Sequence, residues 1–187
     1  MARLPYLDKE DLAPEDQSLL ARNINLIRLL AHSPGMARSM KGLGDYIRHH
    51  STLDARLREL AILQIGYSSR SEYEYSHHVK IGRGFGVTDD DLRWLAAETA
   101  GQPNGFGAIE KLVLRAARET MSLPKLPQST FSDLREHFSA EHLVDLIVTM
   151  GVYVGIVRIL AAFEMDVEED YLKELVDFPL PEAEASS

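Results

Sequence analysis

The sequence predicts an all-α fold. Three observations carry that prediction. Apolar residues recur at spacings of three and four along most of the chain, cap and turn residues divide it into segments of helical length, and no stretch shows the period-two alternation of a half-buried strand. The 187 residues, 45% hydrophobic and 26% charged, suit one soluble domain with a sizeable core. The expected division is a single helical domain over 1–165 followed by an acidic tail over 166–187.

The first helix is expected from Pro14 to about His32, because Leu19, Leu20, Ile24, Ile27, Leu30 and Ala31 share a face. Ser33-Pro34-Gly35 interrupts it, and Pro34 suits the first turn of a second helix carrying Met36, Met40, Leu43 and Ile47 to about His49-His50. A third helix begins near Ser51-Thr52 and carries Leu53, Leu57, Leu60, Ala61 and Ile65. After a short connection at Tyr67–Arg70, Ser71 opens a fourth helix, with Gly86 as its terminator. Thr88-Asp89-Asp90-Asp91 is a helix start, with a hydroxyl cap followed by acids at the positive end of the helix dipole. Gly101–Gly105 is a loop, Ile109–Met121 a helix, and Leu123–Pro127 a stiff linker. A short helix over Ser129–Phe138 and a long one over Ala140–Phe163 follow. The tail carries too many apolar residues, among them Tyr171, Leu172, Leu175 and Phe178, to be wholly solvated. A short helix and an extended piece docked on the body or on a neighbour are expected, with Pro181–Ser187 frayed.

Composition narrows the function. A net charge of −9 argues against nonspecific nucleic-acid binding, which needs a basic surface. The longest apolar run, Leu143–Phe163, is broken by Asp145, Thr149, Gly151, Gly155 and Arg158, so it reads as a buried helix rather than a membrane span. The N-terminal stretch turns acidic early and lacks a long apolar core, so no signal peptide and a cytoplasmic protein are expected. With no cysteine in the sequence, thiol redox chemistry has no atom to work with.

The chemistry-bearing stretch is 58–78. Glu59 lies on the third helix, and Ser71, Glu74 and His78 follow at intervals of twelve, three and four residues. Glu74 and His78 share one helical face, Ser71 is one turn earlier, and a short connection makes the two helices neighbours. A carboxylate beside an imidazole raises its pKa and fixes its tautomer, so Glu59, Glu74 and His78 are the expected acid–base set. A plainer reading stands beside this one. Ser71-Glu72-Tyr73-Glu74 is also a capping box, in which the serine and the glutamate satisfy free backbone N–H groups, and Glu59 pairs with Arg56 or Arg58. Tyr73 and Tyr75 are candidates to line a substrate cavity, with Ser71 at its edge. His77 and His78 point about 100° apart, so one of them joins Glu74, and no metal centre is expected. The Gly82, Gly84, Gly86 series follows a helix and lacks a lysine at the phosphate-loop position, so it is not read as a phosphate loop.

These residues resemble the carboxymuconolactone decarboxylase family, which includes the alkylhydroperoxidase-D-like proteins. The similarity runs through Arg58–Leu63, Ser71–His78, Ile81–Thr88 and Asp145–Tyr153 with Arg158, covering roughly 45–165. It implies a helical bundle of roughly seven to eight helices that assembles as a homo-oligomer, a trimer or hexamer. In the peroxidase branch two cysteines open the helix; the matching positions here are Ser71 and Glu74, while the relay glutamate and histidine match Glu59 and His78. The leading expectation is therefore a cofactor-free lyase of the decarboxylase type acting on a small carboxylic acid or lactone; the alternatives are a thiol peroxidase, disfavoured by the absence of cysteine, and a non-catalytic oligomeric binding protein. Arg58, Arg70 or Arg83 would hold an acidic substrate, Arg83 lying in the motif that follows the histidine.

Overall fold

The structure is a computed structural model that describes residues 2–182. Among these residues there are nine α-helices and no strand: α1 Asn25–Leu30, α2 Pro34–Asp45, α3 Ala55–Ser68, α4 Glu72–Arg83, α5 Asp89–Thr99, α6 Ala108–Ser122, α7 Gln128–His137, α8 Ala140–Ala162 and α9 Glu169–Asp177.

The bundle is built around α3. Every residue of α3 from Leu57 to Tyr67 is buried, because the helix is packed by α4, α6 and α8. A helix buried all round needs partners for its polar side chains. Gln64 finds them in Ser68, Thr99 and Arg118. Arg58 and Glu59 find them in each other and in α4. Gly66 lets α3 and α4 come together: a Cβ there would lie 3.1 Å from backbone atoms of Tyr75. The expected terminator of α4 is in place, since Gly86 has φ +92°, a left-handed conformation that suits glycine. The start of α5 is a capping box between Thr88 and Asp91.

Two expectations are corrected. The single helix over Pro14–His32 is instead a 3-10 turn at Gln17–Ala21, a break with extended backbone at Arg22 and Ile24, and α1. Distant side chains supply the acceptors that permit the break. The Asn25 N–H donates to Glu168 at 2.6 Å and the Leu26 N–H donates to the Tyr73 hydroxyl at 2.9 Å. The second expected helix narrows to α2 and finishes in a π-helical turn at Tyr46–His50.

The acidic tail packs on the body through α9, which lies against α4. Glu174 accepts from Arg83 at 2.7 Å, and Phe178 joins the main hydrophobic core. Of the expected frayed end, 183–187 lie outside the described residues. By length and composition α8 is apolar enough to cross a membrane. Its Leu146, Met150, Tyr153 and Val157 are buried in the bundle, and Val144 and Val148 are exposed.

Candidate acid–base site

Glu59, Glu74 and His78 converge. α3 carries Glu59 to the face that meets α4, and on α4 the four-residue spacing stacks His78 one turn above Glu74. His78 Nδ1 is 2.7 Å from Glu59 Oε2 and its Nε2 is 3.1 Å from Glu74 Oε1. All three side chains are almost wholly buried. The other Glu59 oxygen accepts from the Arg58 guanidinium at 3.2 Å. That guanidinium lies over the Phe85 ring, 4.6 Å from its centroid. The set is two cations and two carboxylates in a row.

Burial opposes the charged form of His78, but the charges and hydrogen bonds of Glu59 and Glu74 outweigh it and raise the imidazole to about 9. Burial likewise works to raise Glu59, and His78 together with Arg58 overcomes it and holds that carboxyl below its ordinary value. At neutral pH the ring is therefore an imidazolium that donates from Nδ1 to Glu59 and sets Nε2 in ion-pair contact with Glu74. The edge of the Tyr153 ring meets it, with centroids 5.1 Å apart and planes at 88°.

The capping and relay readings divide between backbone and side chain. Ser71 caps α4, accepting from the Glu74 N–H. The reciprocal half of the box is missing because the Ser71 N–H is already donated to Gly66 O at 3.0 Å. The Glu74 carboxylate is thereby left for His78. The alternative pairing of Glu59 with Arg56 does not occur, since Arg56 binds Asp91 and Glu110.

Glu74 and His78 border a cavity of about 140 Å³ between α1, α2, α4 and α8. Its wall is largely aliphatic, from Ile27, Leu30, Met40, Ile81 and Ile156. Of the residues expected to bind substrate, Tyr73 lines this cavity. The other three do not. Tyr75 is turned into the core against Tyr67, Ser71 is occupied as the helix cap, and Arg83 is held by Glu174 and Asp89. Arg58 is occupied by Glu59, and Arg70 is likewise absent from the lining.

Sequence reasoning missed Arg22, Lys41, Arg48, His77 and Tyr153 in the lining. His77 is stacked between Tyr73 and Tyr171, with centroids 4.1 and 3.7 Å away. Its Nδ1–H donates to Tyr73 O at 2.7 Å, which leaves Nε2 3.2 Å from Glu168 Oε2 but out of line for a hydrogen bond. No group of three or more histidine, aspartate or glutamate side chains is placed to hold a metal ion among the described residues. A larger open cleft of about 410 Å³ beside α6 and α7 has its two arginines matched by acids, Arg115 by Asp133 and Arg118 by Glu98.

The carboxymuconolactone decarboxylase family model matches residues 34–119. No curated protein matches the chain. Among solved structures, the fold is similar to the crystal structure of an alkylhydroperoxidase AhpD core, an uncharacterized peroxidase-related protein from Ralstonia eutropha JMP134. The TM-score is 0.74 at 17% identity, over 96% of this chain and 98% of that one. A likeness at that identity speaks for the fold. Over residues 34–119 the chain is similar to the carboxymuconolactone decarboxylase family, and its all-α fold is that of the AhpD core, with serine and glutamate at positions 71 and 74 and no cysteine in the sequence.

Proposed function

We propose that this chain is a cofactor-free acid–base enzyme of the lyase type, acting on a small carboxylic acid or lactone. The observation that carries the reading is His78, held at 2.7 and 3.1 Å between two carboxylates at the wall of a cavity. Glu59 fixes the ring and keeps it charged. Glu74, 3.1 Å from Nε2, borders the cavity, so it is the group that passes the proton on. In a decarboxylation the substrate's C–C bond to its carboxylate breaks, carbon dioxide leaves, and the electron pair remains on carbon. The His78 proton, moving through Glu74, closes that carbon, and a solvent proton restores the imidazolium. Nothing in this step requires a thiol, in keeping with Ser71 and Glu74 in place of a cysteine pair.

The test is a panel of lactone acids and unsaturated small acids incubated in D2O and followed by proton NMR. One deuterium should appear at each carbon that loses carbon dioxide, and His78→Gln should lower kcat by roughly 10²- to 10⁴-fold, the usual scale of general acid–base catalysis. An unchanged rate in His78→Gln, or no product from any member of the panel, would contradict the reading.

The chain is also proposed to form a homo-oligomer. Val144 and Val148 on α8, with Met36, Leu43 and Tyr46 at α2 and the turn after it, leave large apolar side chains exposed. Tyr46 Oη donates to Asp145 at 3.4 Å, which joins the two faces. Light scattering at micromolar protein should report a trimer or a hexamer. A particle of 21.0 kDa would refute it.

A further inference from the structure

The cavity beside His78 has a charge pattern that the acid–base set does not use. Arg22, Lys41 and Arg48 all line it, and none of their side chains forms an ion pair or a hydrogen bond with a described residue. Most other arginines of this acidic chain are matched, among them Arg28 by Asp8, Arg56 by Asp91 and Arg83 by Glu174. With His78 protonated, the Arg58–Glu59–His78–Glu74 row is itself neutral. The positive charge of the lining is therefore uncompensated.

Arg48 is the most deeply placed of the three, half-buried where Arg22 and Lys41 are exposed. It belongs to the π-helical turn Tyr46–His50, a local widening of a kind that recurs at functional sites. It is near enough to Tyr153 to favour the phenolate electrostatically, although burial and the two glutamates dominate and keep the phenol protonated. Tyr153 is 4% exposed, lines the same cavity, and its hydroxyl donates to no described residue. The hydroxyl is left free to donate to an acceptor carried by a ligand in the cavity.

We propose that the cavity binds a small monoanionic acid, with Arg48 and the Tyr153 hydroxyl holding its carboxylate beside His78. This rests on the reading of the cavity as the substrate site. The aliphatic wall takes the rest of the ligand. A volume of about 140 Å³ is close to that of an apolar cavity that holds one benzene ring, so the body has roughly six heavy atoms. A second carboxylate on that body would be buried against Ile27, Leu30 and Met40 unless it reached the exposed Arg22 or Lys41 at the mouth. Inorganic phosphate brings no apolar body to fill the aliphatic wall. Lys41 and Arg22, being exposed, raise the local concentration of anions at the mouth.

The experiment is calorimetric titration of the full chain with hexanoate, 1-hexanol, adipate and inorganic phosphate. Hexanoate should bind at least roughly tenfold more tightly than 1-hexanol, the scale of a hydrogen bond to a charged group. Adipate and phosphate should both bind more weakly than hexanoate. Arg48→Met, which keeps the aliphatic stem, should abolish the preference while leaving 1-hexanol binding unchanged. Arg48→Lys should restore part of it, and Tyr153→Phe should weaken hexanoate alone. Equal affinities for hexanoate and 1-hexanol, no binding of either, or a preference that survives Arg48→Met would overturn the proposal. His78→Gln separates this inference from the enzymatic one, because it should lose turnover and keep the preference for hexanoate. Binding through Arg48 without any turnover would sink the enzyme reading alone. Turnover unaffected by Arg48→Met would sink the anchor alone.

Discussion

Glu59→Leu is expected to lower the free energy of unfolding by about 3–5 kcal/mol, the usual cost of removing one partner from a buried ion pair. The size of the effect follows from what remains. Arg58 is 1% exposed and donates to Glu59 through both Nε and Nη2. His78 is 4% exposed and donates to Glu59 through Nδ1. Leucine leaves both cations facing an apolar side chain, with no route to water for the guanidinium. Glu59→Gln should cost less, because its amide oxygen still accepts from one of the two cations. Urea unfolding at pH 7 separates the two variants, and a loss below about 1 kcal/mol in Glu59→Leu would mean that the row is more solvated than its packing indicates.

The second large effect is on the alkaline side of the stability profile. His78 binds its proton more tightly folded than unfolded, moving from 6.5 to about 9. Its contribution is fully present below about pH 6.5 and is lost as the pH rises through about 9. Between those values the folded chain holds a proton that the unfolded chain has released, so stability should fall by about 1.4 kcal/mol per pH unit, roughly 3 kcal/mol in all. Glu59 has the opposite sign. Its carboxyl is depressed, so its contribution is present above the ordinary carboxylate value and is lost as the pH falls through the lower folded value. The row therefore stabilises most between about pH 5 and 6.5. Urea midpoints from pH 5 to 10 should trace the alkaline decline in the wild type, and His78→Gln should flatten it. A decline of equal depth in His78→Gln would assign it to other groups.

The sequence made the acid–base row legible because its spacing is local. Glu74 and His78 are four apart on one helix, and the connection from Ser69 to Ser71 is too short for anything but neighbouring helices. Thr88 and Gly86 were legible for the same reason, a cap and a left-handed turn being properties of a few consecutive residues. What the sequence concealed depends on distant partners. The break before α1 requires Glu168 and Tyr73 to cap Asn25 and Leu26, residues separated from them by 143 and 47 positions. Arg48 reads as an ordinary surface cation near the end of a helix, and nothing in Tyr46–His50 announces a π-helical turn. Tyr153 lies within an apolar run where a tyrosine reads as core, and only the assembled cavity leaves its hydroxyl without a partner. Arg83 reads as free for a substrate for a related reason, since its acceptor Glu174 comes from the tail, 91 residues away.

The account depends on His78 being an imidazolium held by two carboxylates at neutral pH. Nitrogen-15 NMR of the histidine ring reads this directly, because each ring nitrogen reports whether it carries a proton. The account predicts both His78 nitrogens protonated at pH 7, with a titration midpoint near 9 that drops in Glu59→Gln. A neutral His78 ring at pH 7, titrating at or below its ordinary 6.5, would contradict it.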